Sequence, residues 1–194
     1  LAGYSVVIKS PGWERLLVEM LARVNLSLDD IEVVEGGFDM TPFLDGEVDV
    51  WAGYLNDEVV TARMAGIDVV TLPVHEFGVV SIAQTVATSA DKIANNPDQV
   101  ERFLRASLAG WEWALDHPVE AVDIMLEMFP GLSAERQFHI ASFDAIIPLV
   151  RPPGVQIGAI DCNAWGQDER LANLNSTDEL CTTEFLEAIW GQND

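Results

Sequence analysis

"YSVVIKSPGWERLLVEMLARV", residues 4–24, runs from β-branched residues into an amphipathic segment across a short Ser-Pro-Gly break. Tyr4 to Lys9 reads as a strand. Ser10 stands at an N-cap position and Pro11 at the first helical position, where its missing N–H costs nothing. Leu16, Leu17, Met20, Leu21 and Val24 recur at helical spacing, giving a face that packs on a sheet. The alternation then repeats. "IEVV" (31–34) is a second strand, "DMTPFLDG" (39–46) one or two turns of helix, and "VDVWAG" (48–53) a third strand. Residues 57–65 form a helix closed by Gly66, and "IDVVTLPV" (67–74) reads as a fourth strand. Strands alternating with helices imply right-handed crossovers and a mostly parallel sheet.

After Gly78 the pattern changes. "VVSIAQTVATS" (79–89) is one more apolar strand, and helices dominate beyond it. Asn96-Pro97-Asp98-Gln99 starts a helix whose buried stripe is Val100, Phe103, Leu104, Leu108, Trp111 and Leu115. A helix restarts at Pro118, another starts from Ser133, and "RPPG" (151–154) is a breaker. The tail from Ile160 to Ile189 reads as one or two further helices, and no internal repeat is present.

Composition narrows the function. Hydrophobic residues make up 49% of the 194 positions and charged ones 22%, which marks a folded chain. No apolar run approaches the roughly 18 residues of a membrane span, and the N-terminus lacks the pattern of a signal peptide. The formal charge of −22 argues against a nucleic-acid or anionic-membrane partner. Lys9 and Lys92 are the only lysines. Cys162 and Cys181 read as two unrelated thiols, with a single disulfide as the alternative in an oxidising compartment. His75, His117 and His139 show no metal spacing and read as structural or surface residues. Nothing resembles a nucleophile elbow, a phosphate-binding loop or a dinucleotide fingerprint, so no catalytic residue, metal or cofactor is expected.

Two loops remain as site candidates. Ligands of open α/β sheets collect at the carboxyl ends of strands, where helix N-termini point outward. "SPGW" (10–13) follows the first strand and offers backbone N–H groups; "GYLNDE" (53–58) follows the third. The residues alone also admit a second reading, in which Asp57 and Glu58 are helix-start charges and Trp51 and Tyr54 pack the core.

"GFDMTPFLDGEVDVWAGYLNDEVVTARMAGIDVVTL" (37–72) and "DKIANNPDQVERFLRASLAGWEWALDHPVEAVDIML" (91–126) together resemble the NMT1/THI5-like family. The opening "LAGYSVVIKS" resembles the strand that begins that family's second lobe. The resemblance implies a type II-like periplasmic binding protein fold of the α/β class, with two lobes and the ligand in an interlobe cleft. It implies that residues 1–80 are the complete second lobe and 81–194 the C-terminal, mainly helical part of the first. The N-terminal part of lobe one would be missing, and the exposed edges would favour a homodimer. The implied role is a non-enzymatic, periplasmic or extracytoplasmic binder of a small nitrogenous ligand, such as a thiamine pyrimidine precursor, serving the membrane subunits of an ABC importer. An extracytoplasmic sensor domain and a pyrimidine-synthesising enzyme of the THI5 type are the alternatives. Ligand contacts are expected from Ser10, Gly12, Trp13, Phe38, Trp51, Tyr54, Asn56 and Glu58, with Glu58 accepting from an exocyclic amine and Tyr54 or Trp51 stacking.

Overall fold

The computed structural model describes residues 1–79, 84–165 and 180–191. The chain divides into two units, Leu1–Ser81 and Ile82–Asp194.

The first unit is built on three short parallel strands, β1 (Ser5–Ile8), β2 (Glu32–Glu35) and β3 (Val50–Trp51), in the order β2-β1-β3. Helix α1 (Pro11–Arg23) joins β1 to β2, α2 (Thr41–Leu44) precedes β3, and α3 (Glu58–Met64) follows it. The central strand is the core: Val6 and Val7 are both buried, joined by Met20 and Leu21 of α1 and Val60 and Ala62 of α3. Val6 lies opposite Val33 on one side and Val50 on the other. Asp49 fixes the second pairing. Its Oδ2 accepts from the N–H and hydroxyl of Ser5 at 2.9 and 2.8 Å, and its own N–H donates to Ser5 Oγ at 2.9 Å. Those bonds from the Ser5 backbone and hydroxyl hold the Asp49 carboxyl below the usual range.

The second unit is helical among its described residues. It contains α4 (Ala90–Asn95), α5 (Pro97–Asp116), α6 (Pro118–Met128), α7 (Arg136–Val150), α8 (Cys162–Trp165) and α9 (Glu184–Trp190). Leu115, Val122, Leu126, Phe185, Leu186 and Ile189 are buried there. Arg136 clamps Asp123 through two bonds, Nε–Oδ1 at 2.6 Å and Nη2–Oδ2 at 2.9 Å, tying the start of α7 to α6. No helix among the described residues is long and apolar enough to cross a membrane.

Several elements differ from their sequence reading. Residues 67–73 form no strand: the segment has no ladder partner among the described residues, Val70 is 91% exposed, and a 3-10 turn follows at Val74–Phe77. An apolar run becomes a strand only where a ladder partner exists. The strand expected at 79–89 falls partly on 80–83, outside the described residues, and 84–89 are not a strand. α7 begins at Arg136 rather than after Ser133, because a 3-10 segment, Pro130–Glu135, occupies that place. Phe103 and Trp111, assigned to the buried stripe of α5, are largely exposed. The tail reading falls largely on 166–179, outside the described residues.

The cysteines are not independent thiols. Cys162 and Cys181 form a disulfide with a Cα–Cα distance of 5.5 Å and a sequence separation of 19. Closing a loop of that length restricts the unfolded chain by about 3 kcal/mol. Reduction, or the double substitution Cys162→Ser/Cys181→Ser, is therefore expected to destabilise the helical unit by about 3 kcal/mol. Hydrogen exchange checks this: amides of α9 should lose protection on reduction while those of β1 keep theirs.

Candidate functional site

The strand order places a topological switch point at β1. The chain leaves β1 toward β2 on one side and returns to pair β3 on the other. The crevice outside the carboxyl ends of two such strands is where open α/β sheets bind ligands. Every βα connection of the unit sends an aromatic residue toward this edge. Trp13 comes from the first turn of α1, Phe38 from the loop after β2, and Trp51 and Tyr54 from the end of β3 and the turn after it.

At the centre of these rings stands Lys9, the residue that follows β1. Its Nζ lies 5.3 Å from the ring centre of Trp51, 5.5 Å from that of Phe38 and 5.7 Å from that of Trp13, all within cation–π range. The ammonium is ion-paired with Oε1 of Glu58. The lysine side chain is 2% exposed and that of Glu58 11%. The other carboxylate oxygen, Oε2, accepts from the backbone N–H of Tyr54 at 2.7 Å. Glu58 thus closes the first turn of α3 and neutralises the lysine with the same group.

Gly53 makes this arrangement possible. A Cβ there would stand 2.7 Å from Glu58 Cβ and 2.9 Å from its Oε2, so no residue with a side chain fits beside the carboxylate. Gly36, ahead of Phe38, is required in the same way: a Cβ would approach Val7 Cγ1 to 2.5 Å. Tyr54 meets Trp13 edge-on at 5.2 Å, and Trp51 lies 6.3 Å from Phe43. Partial burial and then the Glu58 carboxylate push the Asp57 carboxyl up, while Lys9 pulls it down, so all three charges sense one another.

Of the residues singled out in the sequence, Trp13, Phe38, Trp51, Tyr54 and Glu58 come together here. Ser10 stands at the N-cap of α1 and Gly12 in that helix's first turn. The Ser10 carbonyl accepts from the N–H of Trp13 at 3.0 Å, so that N–H is already paired, and the Ser10 hydroxyl makes no capping bond. Asn56 is half-buried in the turn before α3. Lys9 was missed. Its signal was present, since it ends a buried apolar run and is one of only two lysines in the chain. What the sequence does not display is an acid 49 positions away brought to the same strand end.

The helical unit has a separate concavity of about 520 Å³ between α5, α6 and α7, lined mainly by apolar side chains with Trp111 stacked on Phe143. Its polar groups are His139, Ser107 and Ser142, with no carboxylate or cationic Lys or Arg. No cluster of His, Cys, Asp and Glu able to hold a metal occurs among the described residues.

Residues 1–121 match the family described as NMT1/THI5 like, and the chain belongs to that family. Riboflavin-binding protein RibY of Chloroflexus aurantiacus is 36% identical over 128 residues, which are 62% of this chain and 36% of that protein. Formylaminopyrimidine-binding protein of Halalkalibacterium halodurans is 23% identical over 175 residues, 86% of this chain and 52% of that protein. The chain therefore spans between about a third and a half of the length of the curated relatives it matches.

Glu58→Gln should reveal the pair's role in stability. Removing one partner strands a buried ammonium, so the variant should lose about 3–5 kcal/mol of unfolding free energy. Lys9→Met/Glu58→Gln together should recover most of that loss. Denaturant titration of the three proteins measures both; a single variant costing under about 1 kcal/mol would mean the pair is solvated as surface pairs are.

Proposed function

We propose that this member of the NMT1/THI5-like family is the solute-binding component of an ABC importer, holding a small planar nitrogen heterocycle at the carboxyl edge of its three-stranded sheet. In this reading residues 1–80 belong to the second lobe of a type II-like periplasmic binding protein, and 81–194 to the helical part of the first. The ligand belongs to the pyrimidine or flavin class, thiamine pyrimidine precursors included, and the protein works in the periplasm or another extracytoplasmic space. It binds and releases its ligand unchanged.

The observation that carries the reading is the aromatic-walled ion pair at the switch point. Tyr54 and Phe38 are 59% and 85% exposed although both belong to the cluster, so they offer ring faces to a flat solute. Exposed aromatics grouped around a buried polar pair are the ordinary composition of a small-molecule site: apolar area for affinity and a few fixed polar atoms for orientation. Two relatives named for binding riboflavin and formylaminopyrimidine support the ligand class. The Cys162–Cys181 disulfide supports an oxidising compartment.

Titration calorimetry and tryptophan fluorescence test this on the full-length protein with riboflavin, formylaminopyrimidine, taurine and nitrate. One of the heterocycles should bind saturably at one site per chain and quench emission, since Trp13 and Trp51 line the cluster. Tyr54→Ala should weaken that binding roughly two- to tenfold by removing a stacking face. Binding of taurine or nitrate alone would refute the ligand class, and binding of none of the four would refute the role.

A further inference from the structure

We infer that Lys9, rather than Glu58, reads the polar edge of the ligand, and that it selects a ring presenting carbonyl oxygens over one presenting amines. The inference rests on the solute-binding reading above and deepens it.

Hydrogen-bonding capacity in this water-poor place favours the lysine. Each oxygen of Glu58 already accepts one bond, Oε1 from Lys9 and Oε2 from the N–H of Tyr54. The backbone of Gly53 lies against the same carboxylate closely enough to exclude a Cβ. A carboxylate oxygen can accept twice, but the second lone pairs here are crowded by Gly53 and sit on oxygens already in use, so Glu58 is the weaker partner for an exocyclic amine. Lys9 is in the opposite position. An ammonium carries three donors. One goes to Glu58, and the other two meet the ring faces of Trp13, Phe38 and Trp51 in place of oxygen. Trp51 adds a further donor, because its Nε1–H is buried with no acceptor among the described residues. The cluster thus holds a surplus of buried donors. A carbonyl-bearing edge satisfies that surplus; an amine-bearing edge adds donors beside a cation.

With the lysine side chain 2% exposed, a ligand meets Nζ only where a wall gives way. Phe38 is the most exposed of the three walls and follows Gly36-Gly37, with open space around Gly37. A planar ring that takes the place of the Phe38 ring over the ammonium brings its edge toward Nζ. At the rim, the exposed Asp57 carboxylate and the Asn56 amide can accept from a ring N–H or a hydroxyl. A ring edge that alternates carbonyl, N–H and carbonyl matches this distribution of groups.

A matched pair of probes isolates the edge. Lumazine and 2,4-diaminopteridine share one bicyclic ring and differ in carrying two carbonyls or two amines at the same carbons. With the full-length protein at neutral pH, fluorescence titration should show lumazine binding about ten- to a hundred-fold tighter, the worth of a charge-assisted bond in a desolvated site. In Lys9→Met/Glu58→Gln, which removes the pair without stranding a buried charge, the preference should fall to within about twofold. Circular dichroism confirms that this variant is folded, and Lys9→Arg supplies a second donor-bearing comparison that should retain the preference. Equal or tighter binding of the diamine, or a preference that survives in the double variant, overturns the assignment to Lys9 and leaves the solute-binding role standing. Failure of both pteridines together with riboflavin and formylaminopyrimidine overturns the role itself, and this inference with it.

Discussion

The first unit depends on bringing a lysine at the end of β1 and a glutamate at the start of α3 to one point. Removing an ammonium and a carboxylate from water costs several kcal/mol per ion, repaid only by close geometry and further hydrogen bonds. The fold supplies that geometry through its backbone. β3 must lie beside β1, and Asp49 enforces this through its bonds to Ser5. The chain must then turn without a side chain at Gly53, so that α3 begins with Glu58 facing the sheet edge. Tyr54 donates its N–H to the second oxygen, and three rings replace part of the water around Lys9. Each local feature follows from the requirement that the pair be made well or not at all.

The parts of this arrangement legible in the sequence are those encoded within a few residues. Ser10-Pro11 announces the start of α1, Pro97 and Pro118 those of α5 and α6, and Gly66 the end of α3. The aromatic and acidic character of 51–58 singled out the loop proposed as the site. Features that depend on distant partners were not legible. The segment 67–73 has the composition of a strand yet has no ladder partner among the described residues. The disulfide joins cysteines whose spacing carries no recognisable pattern. Lys9 reads as a solvated strand end until the order β2-β1-β3 sets Trp51 and Glu58 beside it.

Three acids between residues 49 and 58 show why charge in a sequence does not assign roles. Asp49 is solvent-facing, yet hydrogen bonds from Ser5 favour its ionised form and make it a sheet fastener. Asp57 caps α3 at the rim, where partial burial and a like charge next to it disfavour ionisation. Glu58, its immediate neighbour, is turned inward and paired. On a chain of formal charge −22, each carboxylate looks like one more element of a self-repelling surface. Only the groups that each one meets distinguish a fastener, a rim charge and a buried counter-ion.

The same accounting bears on why a buried ion pair persists at a strand end. For stability alone it is a poor choice, because apolar residues of similar volume commonly hold such a position as well or better. Trp13, Phe38 and Trp51 already surround it with apolar material that would pack against a methionine or leucine. Nor does the pair serve solubility, being almost wholly withdrawn from water. What it adds over an apolar pair is direction: donors held at fixed positions inside an aromatic wall, where little water competes for them and a hydrogen bond counts for more than at the surface. A site that must tell one flat solute from another needs that direction, since stacking area is nearly blind to which atoms stand at a ring's edge. Under the proposed solute-binding role, the stability given up at Lys9 and Glu58 is the cost of that discrimination.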